Sequence, residues 1–256
     1  MRLIDVHCHL ESDEYPAGPG PEIEAARLAG VVKLVTASIV PTQWDLSLDL
    51  AARFAEVECA LGIHPWYIKP EHEPDLARLQ SAAQRGAAAI GEIGLDRRVT
   101  EPPMEVQRRF FDAQLIVAKQ LDLPVVVHCR AAFNELLDSL RRIGAPQTGG
   151  IVHNFSGSSE LARDLERFGL VFSFGGVLTY RNSVKKRELI RQIYPEAFVL
   201  ETDSPDIPPR EAPGRPNRPA NIIYNLRAAA ELLGESEEQV AQATTEVAAR
   251  IFKLTV

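Results

Sequence analysis

At 256 residues, with 45 % hydrophobic and 25 % charged side chains, the chain has the composition of a globular protein with a large core. No apolar stretch is long enough to span a bilayer, the start MRLIDVHCHL is too short and polar for a signal peptide, and three cysteines give no disulfide framework, so a cytoplasmic protein with no membrane partner is expected. The net charge of −7 argues against coating long duplexes, because non-specific affinity for DNA comes largely from neutralised phosphates.

Eight apolar, β-branched runs follow one another along the chain: Leu3 to Val6, Val31 to Ala37, Val57 to Ile63, Ala88 to Ile93, Val125 to His128, Gly150 to His153, Leu170 to Phe174 and Phe198 to Thr202. They lack strict alternation, as strands buried on both faces do. A helix-length segment separates each pair. After Glu73-Pro74, where proline suits a first helical turn, Leu76, Leu79 and Ala83 share a face. Val106, Phe110, Ala113, Val117 and Leu121 form another apolar stripe. Gly234 closes a helix, and Ser236 with Gln239 reads as a capping box for a last one presenting Val240, Ala243, Val247 and Ile251 to the core. Eight such units, with no linker or repeat, predict a single (β/α)8 TIM barrel in one domain over residues 1–256, close to the roughly 250 residues usual for that fold. The proline-rich stretch from Pro205 to Pro219 reads as a loop over the active face.

Five of these runs end in metal-ligand side chains: His7 and His9, Glu92, His128, His153 and Asp203. In a closed parallel barrel all strand C-termini meet at one face, where active sites sit. Four imidazoles and two carboxylates converging there would hold metal. His7, His9 and Asp203 belong to the first and last strands, which are neighbours once the barrel closes, so they group on one ion and His128 with His153 on a second. Glu92 would bridge the two. The expected cofactor is therefore two divalent ions per chain, Zn, Mn or Mg, about 3.5–4 Å apart, with Asp203 and Glu92 as catalytic carboxylates. Cys8, Cys59 and Cys129 read as small core residues.

Several residues near the expected mouth read two ways. His64 ends the third run and is a substrate or phosphate contact, or a loop anchor beside Pro65. Arg130 is a phosphate clamp, or an ion-pair partner of Asp96. Trp66 stacks a base or covers a loop. Glu201 would orient a ligand from one layer deeper, Glu11 touches substrate on thin grounds, and His72 faces solvent. Arg97, Arg98, Arg181, Lys185, Lys186, Arg187, Arg210, Arg215 and Arg218 add a basic rim, half of it ordinary surface charge, that suits nucleic-acid strand ends or a small anionic substrate. A monomer is favoured.

The segments DVHCH, GEIGLD, HCRAA, HNFSG and LETDSP, in register from Asp5 to Asn221, resemble the TatD-type metal-dependent hydrolases of the amidohydrolase superfamily. The resemblance implies a (β/α)8 barrel with divalent metals, ligated by His7, His9, Glu92, His128, His153 and Asp203, and a deoxyribonuclease or exonuclease acting on phosphodiesters at single-strand ends. Many DNases of that family read R-x-E-P or N-E-P after the last strand. This chain reads GRPNRPAN, with Arg218 in place of the acid, which leaves room for an alternative: hydrolysis of carboxylic esters, lactones or amides, including aminoacyl-tRNA ester bonds.

Overall fold

The computed structural model describes residues 1–180, 184–214 and 216–255. Eight parallel strands, β1 (Leu3–Cys8), β2 (Val31–Ala37), β3 (Val57–Leu61), β4 (Ala89–Asp96), β5 (Val125–Arg130), β6 (Gly150–Val152), β7 (Leu170–Phe174) and β8 (Phe198–Leu200), lie side by side in sequence order. Around them run α1 (Pro19–Leu28), α2 (Trp44–Arg53), α3 (Glu73–Ala83), α4 (Met104–Leu121), α5 (Phe133–Ile143), α6 (Ser159–Glu166), α7 (Val184–Ile193), α8 (Ile222–Leu233) and α9 (Glu237–Phe252). This is the expected TIM barrel, with α9 as one helix more than eight among the described residues. Among the described residues no helix is long and apolar enough to cross a membrane.

The sheet closes between the C-terminal end of β1 and the residues that follow β8. Asp203 N–H donates to His7 O (2.9 Å) and His9 N–H to Ser204 O (2.8 Å). Asp5, fully buried on β1, accepts from the Thr202 amide (2.9 Å) and the Thr202 hydroxyl (2.5 Å). Its burial raises the Asp5 carboxyl to about 7. Deprived of water, that carboxyl depends on its three donors, the third being the His7 amide at 3.3 Å.

Strand limits differ from the sequence expectation in a consistent way. β4 and β5 run on to Asp96 and Arg130, whereas β3, β6 and β8 stop early, at Leu61, Val152 and Leu200. Hydrophobicity marks burial, and the loop residues at the C-terminal face are buried too, so the apolar runs outlast the pairing. At Asn154 (φ 41°) and Asp203 (φ 55°) the backbone enters the left-handed region, turning the chain away from the sheet.

The inner face of α4 also departs from expectation. Gln107, Phe111, Gln114 and Ala118 are buried, while Val106, Ala113 and Leu121 sit at the boundary. The two glutamines are the reason. Gln114 accepts from Ile63 N–H (2.7 Å) and donates to Ile63 O (3.2 Å). Gln107 does the same for Asp96, at 2.8 and 3.1 Å. Each amide satisfies backbone groups that strand pairing leaves over at the rim, so a polar residue is the better core residue there. Ser236 and Gln239 form the expected capping box of α9.

Candidate metal centre

The six expected ligands converge at the C-terminal face, each from a different local setting. His7 lies inside β1 and His9 one residue past it; Glu92 sits mid-β4, where an irregular register between Ile90 and Ile93 interrupts pairing with β5. His128 lies within β5, His153 just past β6, and Asp203 three residues past β8. Gly94 lets β4 and β5 approach here, because a β-carbon on it would collide with the His128 carbonyl.

The two oxygens of Glu92 face different sets of imidazoles. Oε2 is 3.4 Å from His7 Nε2 and 3.6 Å from His9 Nε2, and Asp203 Oδ1 is 3.4 and 3.5 Å from the same two nitrogens. Metal–ligand bonds of about 2.1 Å in a tetrahedron give edges of about 3.4 Å, and these four nitrogen–oxygen distances are of that size. Oε1 lies 2.9 Å from His153 Nε2, 3.1 Å from His64 Nε2 and 3.3 Å from His128 Nδ1, with 3.1 Å between the His128 and His153 nitrogens. This second group is somewhat tighter than the first. Both ring nitrogens of His7 and Nδ1 of His153 are buried without a hydrogen-bond partner, a costly arrangement that a metal ligand explains for the nitrogens aimed at the carboxylates.

Among the side chains themselves, charge is arranged to hold protons where cations would bind. Burial opposes the charge of His7, but Glu92 and Asp203 outweigh it and keep the imidazolium well above the usual histidine range. Burial likewise disfavours His128⁺, yet hydrogen bonds to Asp96 and Glu92 push it up to about 9. Against the burial that would raise them, Glu92 is held well below the carboxylate range by its histidines, and Asp203 by His7 and His9. His64 goes the other way. Burial dominates and lowers it to about 4, leaving a neutral ring suited to ligation or hydrogen bonding.

Around this set stand Asp96, read from sequence only as an alternative partner of Arg130; Lys186, read as part of the basic rim; and Glu201, read as orienting a ligand. Asp96 Oδ2 meets His128 Nε2 (3.1 Å) and accepts from Trp66 Nε1 (2.6 Å), while Oδ1 accepts from the Arg98 amide (2.7 Å). It therefore fixes which His128 nitrogen faces Glu92. Its motif position, four residues after Glu92, was the available signal. Lys186 donates to Asn154 Oδ1 (2.9 Å), beside His153. Glu201 lies 3.9 Å from His153 Nδ1, too far for a hydrogen bond, and is held instead by Ser173 Oγ (2.5 Å) and the Asn154 amide (2.9 Å).

Of the two-way residues, His64 stands beside Glu92, buried. Its Nδ1 accepts from the Trp66 amide (3.1 Å), so the proton of the neutral ring lies on Nε2, which faces Glu92 Oε1 as a donor, and His64 anchors its loop and the carboxylate at once. Arg130 does not pair with Asp96, whose oxygens are engaged as above. Glu11 is buried and bonded to Thr36 and Ser47, although it borders the cavity. His72 lies away from the centre and accepts from the Lys69 amide (3.3 Å). The basic rim thins out: Arg97 pairs with Glu135, Arg210 with Glu211 and Arg218 with Glu22 on α1. Arg181 and Arg215 lie outside the described residues. The centre opens into a cavity of about 700 Å³ bordered by Trp66, Tyr67 and Arg130.

A profile of the family described as "TatD related DNase" matches residues 4–253 of the chain. The chain belongs to the TatD family. It is 32 % identical over 253 residues to the uncharacterized metal-dependent hydrolase YabD of Bacillus subtilis, covering 98 % of this chain and 99 % of that one. Identity is 35 % to YjjV of Escherichia coli, again named a metal-dependent hydrolase, with 94 % of each chain covered. The crystal structure of that TatD homologue superposes with a TM-score of 0.93 over 99 % of both chains at 33 % identity. A Mus musculus relative, 31 % identical over 98 % of this chain and 88 % of its own, carries a tentative deoxyribonuclease name. This TatD-family chain is accordingly a metal-dependent hydrolase on a TIM barrel.

Proposed function

We propose that the chain hydrolyses phosphodiester bonds at the ends of single-stranded nucleic acid, using two divalent ions bridged by Glu92. The observation that carries the reading is the division of Glu92: Oε2 faces His7 and His9, and Oε1 faces His64, His128 and His153. His7, His9 and Asp203 would complete one ion's shell, and His128 and His153 the other's. Zn, Mn or Mg would suit such histidine and carboxylate donors, and when bound such a pair makes a water acidic near neutral pH and polarises the scissile phosphate.

The chain's own groups would do the rest. Asp203 meets His7 and His9 through Oδ1, which leaves Oδ2 to accept the proton of the attacking water and return it to the leaving oxygen. Asp96 keeps the His128 ring in one orientation, and the neutral His64 keeps Glu92 Oε1 in place without adding charge. Arg130 and the exposed indole of Trp66 at the mouth suit a phosphate and a base.

End-labelled single-stranded oligonucleotides incubated with Mg²⁺, Mn²⁺ or Zn²⁺ test the proposal. The expected result is a ladder shortening from one end. No cleavage with any metal, together with turnover of an ester, lactone or aminoacyl-tRNA, would transfer the assignment to carbonyl substrates.

A further inference from the structure

A second cavity of about 620 Å³ adjoins the metal centre and shares Arg130 with it. One wall carries Arg98 and Arg130, and the other the loop from Ser156 to Ser158. The two arginines emerge side by side, since Asp96 pairs with Arg130 across β4 and β5 and the Arg98 amide is bound to Asp96. Arg27, Arg53, Arg78 and Arg85 each pair with a carboxylate. Arg98 and Arg130 have none among the described residues, although both are exposed and acids are close by. Glu135 is taken by Arg97, Glu160 by Arg163, and Asp96 by His128, Trp66 and a backbone amide.

The rest of the cavity is built rather than incidental. Its floor is aromatic: Phe133 packs edge-on against the fully buried Phe155, ring centroids 5.3 Å apart. The loop lies directly on that floor, because a β-carbon at Gly157 would strike the Phe155 ring. The Ser158 hydroxyl accepts the Leu161 amide (3.3 Å) and is bonded to the Glu160 carboxylate, which fixes the loop at the start of α6. Two guanidiniums without a carboxylate partner lining one cavity match an anion with several oxygens, and a phosphate takes bidentate contacts from such forks.

Resting on the phosphodiester reading above, we propose that this cavity is a second phosphate subsite. It holds the phosphate next to the scissile one, with Arg98 and Arg130 as its ligands, so that the preferred substrate is a chain of at least two phosphates rather than an isolated diester. Asp96 links the subsite to the metal centre, because one carboxylate fixes both the Arg98 amide and the His128 ring.

The test compares two probes on wild type, Arg98→Ala and Arg130→Ala. Binding of a fluorescein-labelled trinucleotide is measured by anisotropy in EDTA, over a range of salt. Turnover of bis(p-nitrophenyl) phosphate, which has one phosphate, is measured with metal restored. Each substitution should weaken trinucleotide binding by about tenfold, the size of one lost charge-assisted contact. The salt slope should become shallower by about 0.7, the value for one phosphate on a single strand. Loss on the trinucleotide should exceed any loss on the single-phosphate probe by at least fivefold to tenfold. Unchanged trinucleotide affinity and salt slope, or equal losses on both probes, would overturn the subsite. Failure of the wild type to turn over any phosphodiester would instead overturn the phosphodiester reading, and the anisotropy would still decide whether the arginines bind phosphate.

Discussion

Asp203 is placed in the left-handed backbone region, three residues past β8, with Oδ1 turned toward His7 and His9. If it is both ligand and proton carrier, Asp203→Asn should lower kcat by about 10²–10⁴ while leaving the melting temperature nearly unchanged. Turnover near wild type at matched metal occupancy would remove it from the chemistry. His128 supplies a pH test. Its ordinary value is 6.5 and its partners raise it to about 9, so in metal-free protein its protonated form supports the fold below about pH 6.5, and that support is lost as pH rises through about 9. Metal needs the neutral ring, so affinity for a divalent ion should climb across the same window, with proton release seen by calorimetry in buffers of different ionisation enthalpy. Affinity flat from pH 6.5 to 9 would argue against His128 as a ligand. The six expected ligands were legible because each stands at or near the end of an apolar run. The closeness of His64 to Glu92 was not, since spacing places a residue on a rim but does not say how far its ring reaches.

The join between β1 and β8 brings His7 and Asp203 together, and it depends on Asp5 and Thr202 rather than on a regular ladder. Thr202→Val removes the hydroxyl bonded to the Asp5 carboxylate (2.5 Å) and leaves a buried acceptor short of a donor. A loss of about 1–3 kcal/mol is expected, or a melting temperature lower by several degrees, at about 2–4 °C per kcal/mol in a domain of this size. Metal affinity should fall with it, because two ligands sit on either side of that join. An unchanged melting curve would show that the carbonyl bonds of His7 and Ser204 hold it alone. At this scale the strands were readable and their limits were not. Burial at the C-terminal face extends past Val152 and Leu200, so hydrophobicity overran pairing there, whereas the strands continue past their expected ends by three residues in β4, to Asp96, and by two in β5, to Arg130. Gln107 and Gln114 escaped notice because a stripe of apolar residues cannot announce a polar one that serves the strand rim.

In the whole molecule, eight strands in sequence order gather residues from position 7 to position 203 onto one face, which is why a chain without a local metal motif longer than H-x-H can bring five histidines and two carboxylates together there. The same convergence of buried, mutually attracting charges makes the fold sensitive to what fills the centre. Divalent metal should raise the melting temperature in proportion to the logarithm of its concentration, through binding to the native state alone. Central to all of this is Glu92, one carboxylate facing two sets of imidazoles. Its most direct test is metal content by plasma mass spectrometry, after saturation with Zn²⁺ or Mn²⁺ and removal of free ion. Two ions per wild-type chain are expected, falling to one or fewer in Glu92→Gln with the fold retained. One ion per wild-type chain at full activity would contradict the bridged pair.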